Sequence, residues 1–261
     1  MRLEEKFKKL KQENKKAFIA YVPFGFPEIN MIGDICLTLQ EAGVDAIEVG
    51  IPFSDPLADG PIIQKATNWA LNKGANVDLF FEEFSKFNKK LTIPIVIMSY
   101  YNPILQFGLK DFFKQMNSLD ISAIIIVDLP LEESQPYIKE ARKWNIDNIS
   151  FITPTTSGLR VKKIIKYARG FIYYVSVTGI TGPRDLSYSK LSKHINNIKQ
   201  KTEVPICVGF GIHNSKQVCM INKFSDGVIV GSEIVRFIEN NHCEKNFLNK
   251  LKKHTKNIIS R

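Results

Sequence analysis

Eight short apolar runs recur along the 261-residue chain: AFIAYV (17–22), DAIEVG (45–50), PIVIM (94–98), SAIIIVD (122–128), NISFIT (148–153), FIYYVSV (171–177), VPICVGF (204–210) and DGVIVG (226–231). Each is rich in β-branched or aromatic residues, and most are continuous rather than alternating. That pattern predicts strands covered on both faces, as in a parallel sheet. Their starts lie about 22 to 33 residues apart, except for one step of about 49 between the second and third. Helical periodicity fills the intervals. Ile32, Ile35, Cys36 and Leu39 repeat at three- and four-residue steps within 30–42. Phe112, Phe113, Met116 and Leu119 do so within 111–119, and Leu159, Val161, Ile164 and Ile165 within 158–168. Strand and helix alternating eight times predicts an α/β chain: a single (β/α)8 TIM barrel domain over residues 1–261. An open doubly wound sheet is the alternative, but such sheets seldom need eight regular units.

The two ends lie outside this repeat. Leu3, Phe7 and Leu10 form one helical stripe among Lys6, Lys8, Lys9 and Lys11, which predicts an extra N-terminal helix capping one mouth of the barrel. Phe247, Leu251 and the Ile258-Ile259 pair predict a last helix returning onto it. These ends also hold the basicity. Of the formal net charge of +10, residues 1–16 carry seven Lys/Arg against three Glu, and residues 242–261 carry six against one. The body, 17–241, has 23 basic and 22 acidic residues. A basic protein invites a nucleic-acid reading, but a near-neutral body favours solvated terminal helices. Neither nucleic acid nor a membrane surface is therefore expected as a partner. No apolar run reaches ~18 residues, and the opening MRLEEKFKKLKQENKK has no apolar core of a signal peptide. Cys36, Cys207, Cys219 and Cys243 have no CxxC spacing, and the first two lie in apolar runs. They read as reduced thiols in a cytoplasmic protein.

Barrel active sites sit at the C-terminal ends of the strands, and the second run carries an acid, Ile47-Glu48-Val49. If its neighbours face the helices, alternation turns Glu48 inward. A buried carboxylate is costly without a cation, so its pKa rises and it can move protons near neutrality. The other reading is a structural Glu paired with an interior Lys or Arg, but no strand supplies one. The loop GIPFSDPLADG (50–60) adds Asp55 and Asp59. Acidic, turn-rich loops are surface punctuation as often as sites, and the residues alone do not choose. Gly209-Phe210-Gly211 closes the seventh run, Gly231-Ser232 closes the eighth and opens a helical stretch, and Gly179 and Gly182 follow the sixth. Glycines after the last strands, at a helix N-terminus, suit a small phosphorylated substrate. His194, His213, His242 and His254 have no ligand spacing, so no metal is expected. The lack of a strand lysine disfavours a Schiff-base aldolase.

The fourteen residues from Ile47 to Gly60, IEVGIPFSDPLADG, resemble the signature of the tryptophan synthase alpha subunit family. The likeness continues, in order and over essentially the whole chain, through Tyr101-Asn102-Pro103, Val127–Pro130, Ser176–Gly182, Gly209–Ile212 and Val230–Ser232. It departs locally at Pro23-Phe24-Gly25-Phe26-Pro27, where Thr-Ala-Gly-Asp-Pro is commoner. The resemblance implies a (β/α)8 lyase that splits indole-3-glycerol phosphate into indole and glyceraldehyde 3-phosphate, a retro-aldol step of L-tryptophan biosynthesis. It implies Glu48 as general acid/base and Asp59 as acceptor of the indole N–H. Tyr173, Thr181 and Phe210 would contact substrate, and Gly182, Gly211, Gly231 and Ser232 would hold its phosphate. No cofactor is implied for this chain. Pyridoxal phosphate would belong to a beta-subunit partner in an alpha2-beta2 tetramer, met through Pro52, Asp55, Asp128 and Pro130.

Overall fold

The computed structural model describes residues 1–176 and 188–259. Its strands are β1 (Ala17–Pro23), β2 (Ala46–Gly50), β3 (Ile95–Ser99), β4 (Ala123–Ile126), β5 (Asp147–Asn148), β6 (Ser150–Ile152), β7 (Ile172–Val175), β8 (Ile206–Gly209) and β9 (Gly227–Val230). Its helices are α1 (Leu3–Gln12), α2 (Ile32–Ala42), α3 (Pro61–Asn72), α4 (Val77–Ser85), α5 (Tyr101–Phe107), α6 (Leu109–Ser118), α7 (Gln135–Lys143), α8 (Gly158–Tyr167), α9 (Tyr188–Lys199), α10 (Ser215–Asn222), α11 (Ser232–Asn241) and α12 (Phe247–Ile259).

All pairings are parallel, in the order β5-β4-β3-β2-β1-β9-β8-β7-β6. The two ends of that ladder, β5 and β6, are separated in the chain by Ile149 alone. The sheet therefore returns to its starting point and closes into the expected (β/α)8 barrel. The fifth apolar run is split. Asp147 and Asn148 pair with β4, whereas Ser150–Ile152 pair with β7. Eight runs thus become nine strands.

Alternation along each strand sorts the core into two layers. Ala17, Ile19, Ala46, Val96, Ala123, Ile125, Tyr173, Cys207 and Ile229 share the barrel interior. Phe18, Ala20, Ile47, Val49, Ile97, Ile124 and Val208 pack outward in the layer shared with the helices. Helix α1 extends the inner layer: Leu3, Phe7 and Leu10 are buried in it, with the Phe7 ring 6.1 Å from that of Phe171. Glu4 and Glu5 in its first turn and Lys9 and Lys11 in its last complement the helix dipole. Lys6 pairs with Asp45 at 3.0 Å, and Asp45 also accepts the Phe18 N–H at 2.9 Å. The helix is thereby clamped across the N-terminal mouth of the barrel, and α12 packs outside, burying Phe247, Leu251, Ile258 and Ile259.

The long step between β2 and β3 holds two helices, α3 and α4, rather than one. Asn76 begins the second by accepting the Leu79 N–H at 2.9 Å. The departing segment Pro23–Pro27 is a packing device. Gly25 adopts φ +84°, and an added Cβ would lie 2.7 Å from that of Ala75. Phe24 is buried edge-on against Phe80 at 5.4 Å. One expected core residue is misplaced. Leu159 is 77% exposed, because Ser157 caps α8 and leaves Leu159 in its solvent-facing first turn, while Val161 and Ile164 are buried. Among the described residues, no helix is long and apolar enough to cross a membrane.

Truncating the plug at Phe7→Ala is expected to cost about 3 kcal/mol of folding stability. Urea unfolding should show the lower midpoint. Specific activity of the folded fraction should be retained, because Phe7 lies at the end of the barrel opposite the candidate site.

Candidate active site

Glu48 sits on β2 between the outward-facing Ile47 and Val49, and so points into the barrel. It is 1% exposed, and its Oε2 has no hydrogen-bond partner. Among the described residues no cation pairs with it. Burial first, and repulsion from Asp59 second, push its pKa from 4.5 up to about 8. Asp59 stands in the loop between β2 and α3 and is also buried. The Tyr100 hydroxyl donates to its Oδ2 at 3.2 Å. Burial raises Asp59 to about 6, with the Tyr100 bond opposing the rise. Tyr100 is itself anchored, since its oxygen accepts the Ala58 N–H at 2.9 Å. Gln64 fastens the same loop by donating to the Asp59 carbonyl at 2.9 Å.

The two carboxyls are thus separated in proton affinity by their surroundings. Near pH 7 Glu48 keeps its proton and Asp59 has mostly lost its own. An acid able to donate beside an anion able to stabilise positive charge is the arrangement that acid–base chemistry at neutral pH requires.

Two phenols line the same space. Tyr173 on β7 and Tyr21 on β1 are buried, and burial together with the nearby Glu48 and Asp59 raises both hydroxyl pKa values. Each ring lies across a glycine on the neighbouring strand. A Cβ on Gly209 would collide with the Tyr173 hydroxyl, and one on Gly50 with that of Tyr21. The Tyr173 ring lies 5.1 Å from Phe151 and 6.1 Å from Phe210. Phe210 has φ +70°, a strained value for a bulky residue. The Ser176 hydroxyl holds that turn, bridging the carbonyls of Gly209 and Phe210 at 2.8 and 2.7 Å.

Gly211 follows at φ +75°, and Gly231 precedes α11, whose first residue is Ser232. The first N–H groups of that helix have no partner within it and face the same C-terminal end of the barrel. Glu233 in its first turn is engaged by Arg236 at 2.8 Å. Thr181 and Gly182 lie outside the described residues. Of the residues expected at a partner surface, Pro52 is buried, whereas Asp55 and Pro130 are exposed. Asp55 accepts a bond from the Ser54 hydroxyl. Asp128 is exposed but occupied, accepting the Tyr101 N–H at 2.8 Å and so starting α5. Sequence reasoning passed over Tyr21, Tyr100, Phe151 and Ser176. Tyr21 could have been found, since it continues the inward series Ala17, Ile19. Tyr100 could not, because its value lies in a partner 41 residues away. Among the described residues, no cluster of His, Cys, Asp and Glu could hold a metal ion.

The family model described as tryptophan synthase alpha chain matches residues 7–260. The chain belongs to the tryptophan synthase alpha chain family. It is 42% identical over 247 residues to the tryptophan synthase alpha chain of Carboxydothermus hydrogenoformans, covering 94% of this chain and 92% of that one. The crystal structure of tryptophan synthase subunit alpha from Legionella pneumophila superposes with a TM-score of 0.91 at 31% identity, over 99% and 97% of the two chains. The alpha subunit from Campylobacter jejuni does so at 0.85 and 36%, over 95% and 98%. As a tryptophan synthase alpha chain, the protein is a lyase of tryptophan biosynthesis that cleaves indole-3-glycerol phosphate to indole and glyceraldehyde 3-phosphate, and a beta subunit is its implied partner.

The raised Glu48 pKa carries a stability signature. The unfolded carboxyl titrates near 4.5 and the folded one near 8. Stability is therefore lost as pH rises through that interval, and above it the fold bears the full cost of a buried charge. Glu48→Gln removes this cost. Its stability advantage over the parent should be small at pH 4.5 and reach roughly 3–5 kcal/mol by pH 9. Denaturant unfolding at both pH values measures it, and a constant difference would contradict a buried, unpaired Glu48.

Proposed function

We propose that Glu48 and Asp59 are the two catalytic groups of the cleavage. The observation that carries this reading is the buried Glu48 carboxyl, unpartnered at Oε2, within electrostatic reach of Asp59 at the C-terminal end of the barrel. Protonated Glu48 gives its proton to the ring carbon of indole that bears the glycerol side chain. Positive charge develops on the ring nitrogen, whose N–H is hydrogen-bonded to the Asp59 carboxylate. The Glu48 carboxylate then takes the proton of the hydroxyl on the attached side-chain carbon. The carbon–carbon bond breaks, its electron pair returns to the ring, and the aldehyde and indole separate. Glu48 ends as it began, protonated, so no co-reactant is consumed.

The other groups position the substrate. Tyr173 and Phe210 pack against the indole. Gly211, Gly231 and Ser232 direct backbone N–H groups at the phosphate. The beta subunit, which carries pyridoxal phosphate, docks against the loop around Pro52 and Asp55, through its exposed Asp55, and against the segment Asp128–Pro130 in an alpha2-beta2 tetramer in the cytoplasm.

Glu48→Gln should lower kcat for indole release by roughly 10²–10⁴-fold, with substrate binding largely kept. Asp59→Asn should be impaired by roughly 10²-fold or more, because an amide stabilises a cation less well than a carboxylate. An indole-3-glycerol phosphate cleavage assay, run with and without a beta subunit, reads both. Near-parental turnover in either variant would refute that residue's role. The profile of kcat/KM against pH should be bell-shaped, falling below about pH 6 as Asp59 gains a proton and above about pH 8 as Glu48 loses one.

A further inference from the structure

The proposed phosphate cradle opens helix α11, and the second residue of that helix is an acid. Gly231 is the N-cap, Ser232 the first helical residue and Glu233 the next. This helix start lies against the barrel: a Cβ on Gly231 would stand 3.3 Å from the Tyr21 side chain, which lines a crevice with Asp59. N–H groups in the first turn lack partners within the helix and suit an anion. A glutamate in the same turn is a rival for them, because its own carboxylate can fold back and accept those N–H groups. Helix α1 shows the rival contact: Glu5 in its first turn accepts the N–H of the N-cap residue Arg2 at 2.9 Å.

Glu233 is turned aside instead. Arg236, one turn further along α11, donates from Nη1 to its Oε2 at 2.8 Å. Its Oε1 lies 3.3 Å from Nε2 of His254 on α12. The His254 ring is itself fixed, stacked on Phe237 with centroids 4.2 Å apart and planes 16° from parallel. Between these groups the Glu233 side chain is 17% exposed. Burial holds His254 below its ordinary pKa, against the pull of Glu233. At neutral pH its ring is therefore uncharged, and the cation that holds Glu233 is Arg236.

We propose that Arg236 is a positioning residue for phosphate binding: it holds the Glu233 carboxylate to the side of α11 and so keeps it off the N–H groups that take the phosphate. Two effects of the pair act in the same direction. The salt bridge fixes where the carboxylate points, and it neutralises a negative charge that would otherwise stand within one helical turn of a phosphate dianion. His254, braced by Phe237, closes the other side of the carboxylate. The inference rests on the reading that Gly231 and Ser232 hold the phosphate.

Calorimetric titration of the full chain with glycerol 3-phosphate reads the effect directly, and KM against kcat for indole-3-glycerol phosphate cleavage reads it in turnover. Arg236→Gln should weaken glycerol 3-phosphate binding and raise KM by about tenfold, with kcat within about twofold of the parent. Arg236→Lys, which keeps a cation, should stay within about threefold of the parent in both. Glu233→Gln should bind at least as tightly as the parent, and adding it to Arg236→Gln should restore the lost affinity. That restoration separates the proposal from a structural role, since a merely loosened α11 would leave the double variant as weak as Arg236→Gln. Unchanged affinity in Arg236→Gln, or a double variant no tighter than it, would overturn the inference and leave the phosphate reading standing. Crystals soaked in glycerol 3-phosphate test that reading separately: phosphate density at Gly231 and Ser232 supports it, and density only elsewhere overturns both.

Discussion

The site depends on a carboxyl group enclosed by a sheet that supplies no cation to neutralise it. Glu48 could not be moved without moving its strand. The β1–β2 and β2–β3 registers set Ile47 and Val49 into the helical layer. A one-residue slip would expose both apolar side chains to the interior and drive the acid into the outer core. The same pairing that buries apolar surface therefore keeps one proton on a residue that would ordinarily have lost it. Proton retention by Glu48 is thus a by-product of register, held by the barrel as a whole.

Space inside the barrel is divided by complementary sizes. Glycines at positions 50 and 209 allow the phenol rings of Tyr21 and Tyr173 to lie across neighbouring strands. Below them the filling is small and aliphatic, with Ala17, Ile19, Ala46 and Val96, until the α1 side chains Leu3, Phe7 and Leu10 close the floor. The interior is thus graded, from hydrocarbon beneath to aromatic and acidic near the rim. That gradient explains why Asp59, nearer the loop, is raised less than Glu48.

How much of this could be read from the sequence varies with the range of the interaction. Period-two alternation is local, so the inward turn of Glu48 followed from Ile47 and Val49 alone. Continuous β-branched runs likewise announced strands covered on both faces. The split of the fifth run at Ile149 was invisible, because it reflects two different neighbours, β4 and β7, competing for one strand. Leu159 fitted a helical stripe by spacing, but spacing does not reveal where a cap such as Ser157 starts the helix, or which face the first turn presents. The loop acids separated only with coordinates. The Asp59 carboxyl is held by Tyr100 whereas that of Asp55 accepts from its neighbour Ser54, and nothing in GIPFSDPLADG distinguishes them by composition.

The clamp between Lys6 and Asp45, with α1 laid over the hydrocarbon floor, turns the barrel into a blind-ended cup. A vessel of this shape has no through-flow. Substrate entering at the rim and product leaving must share that rim. Whatever sits on the rim during turnover consequently decides the fate of the product. A protein that covers it becomes the recipient, and an uncovered cup spills to solvent. The floor, made of three side chains far from any chemistry, is what makes the lid matter.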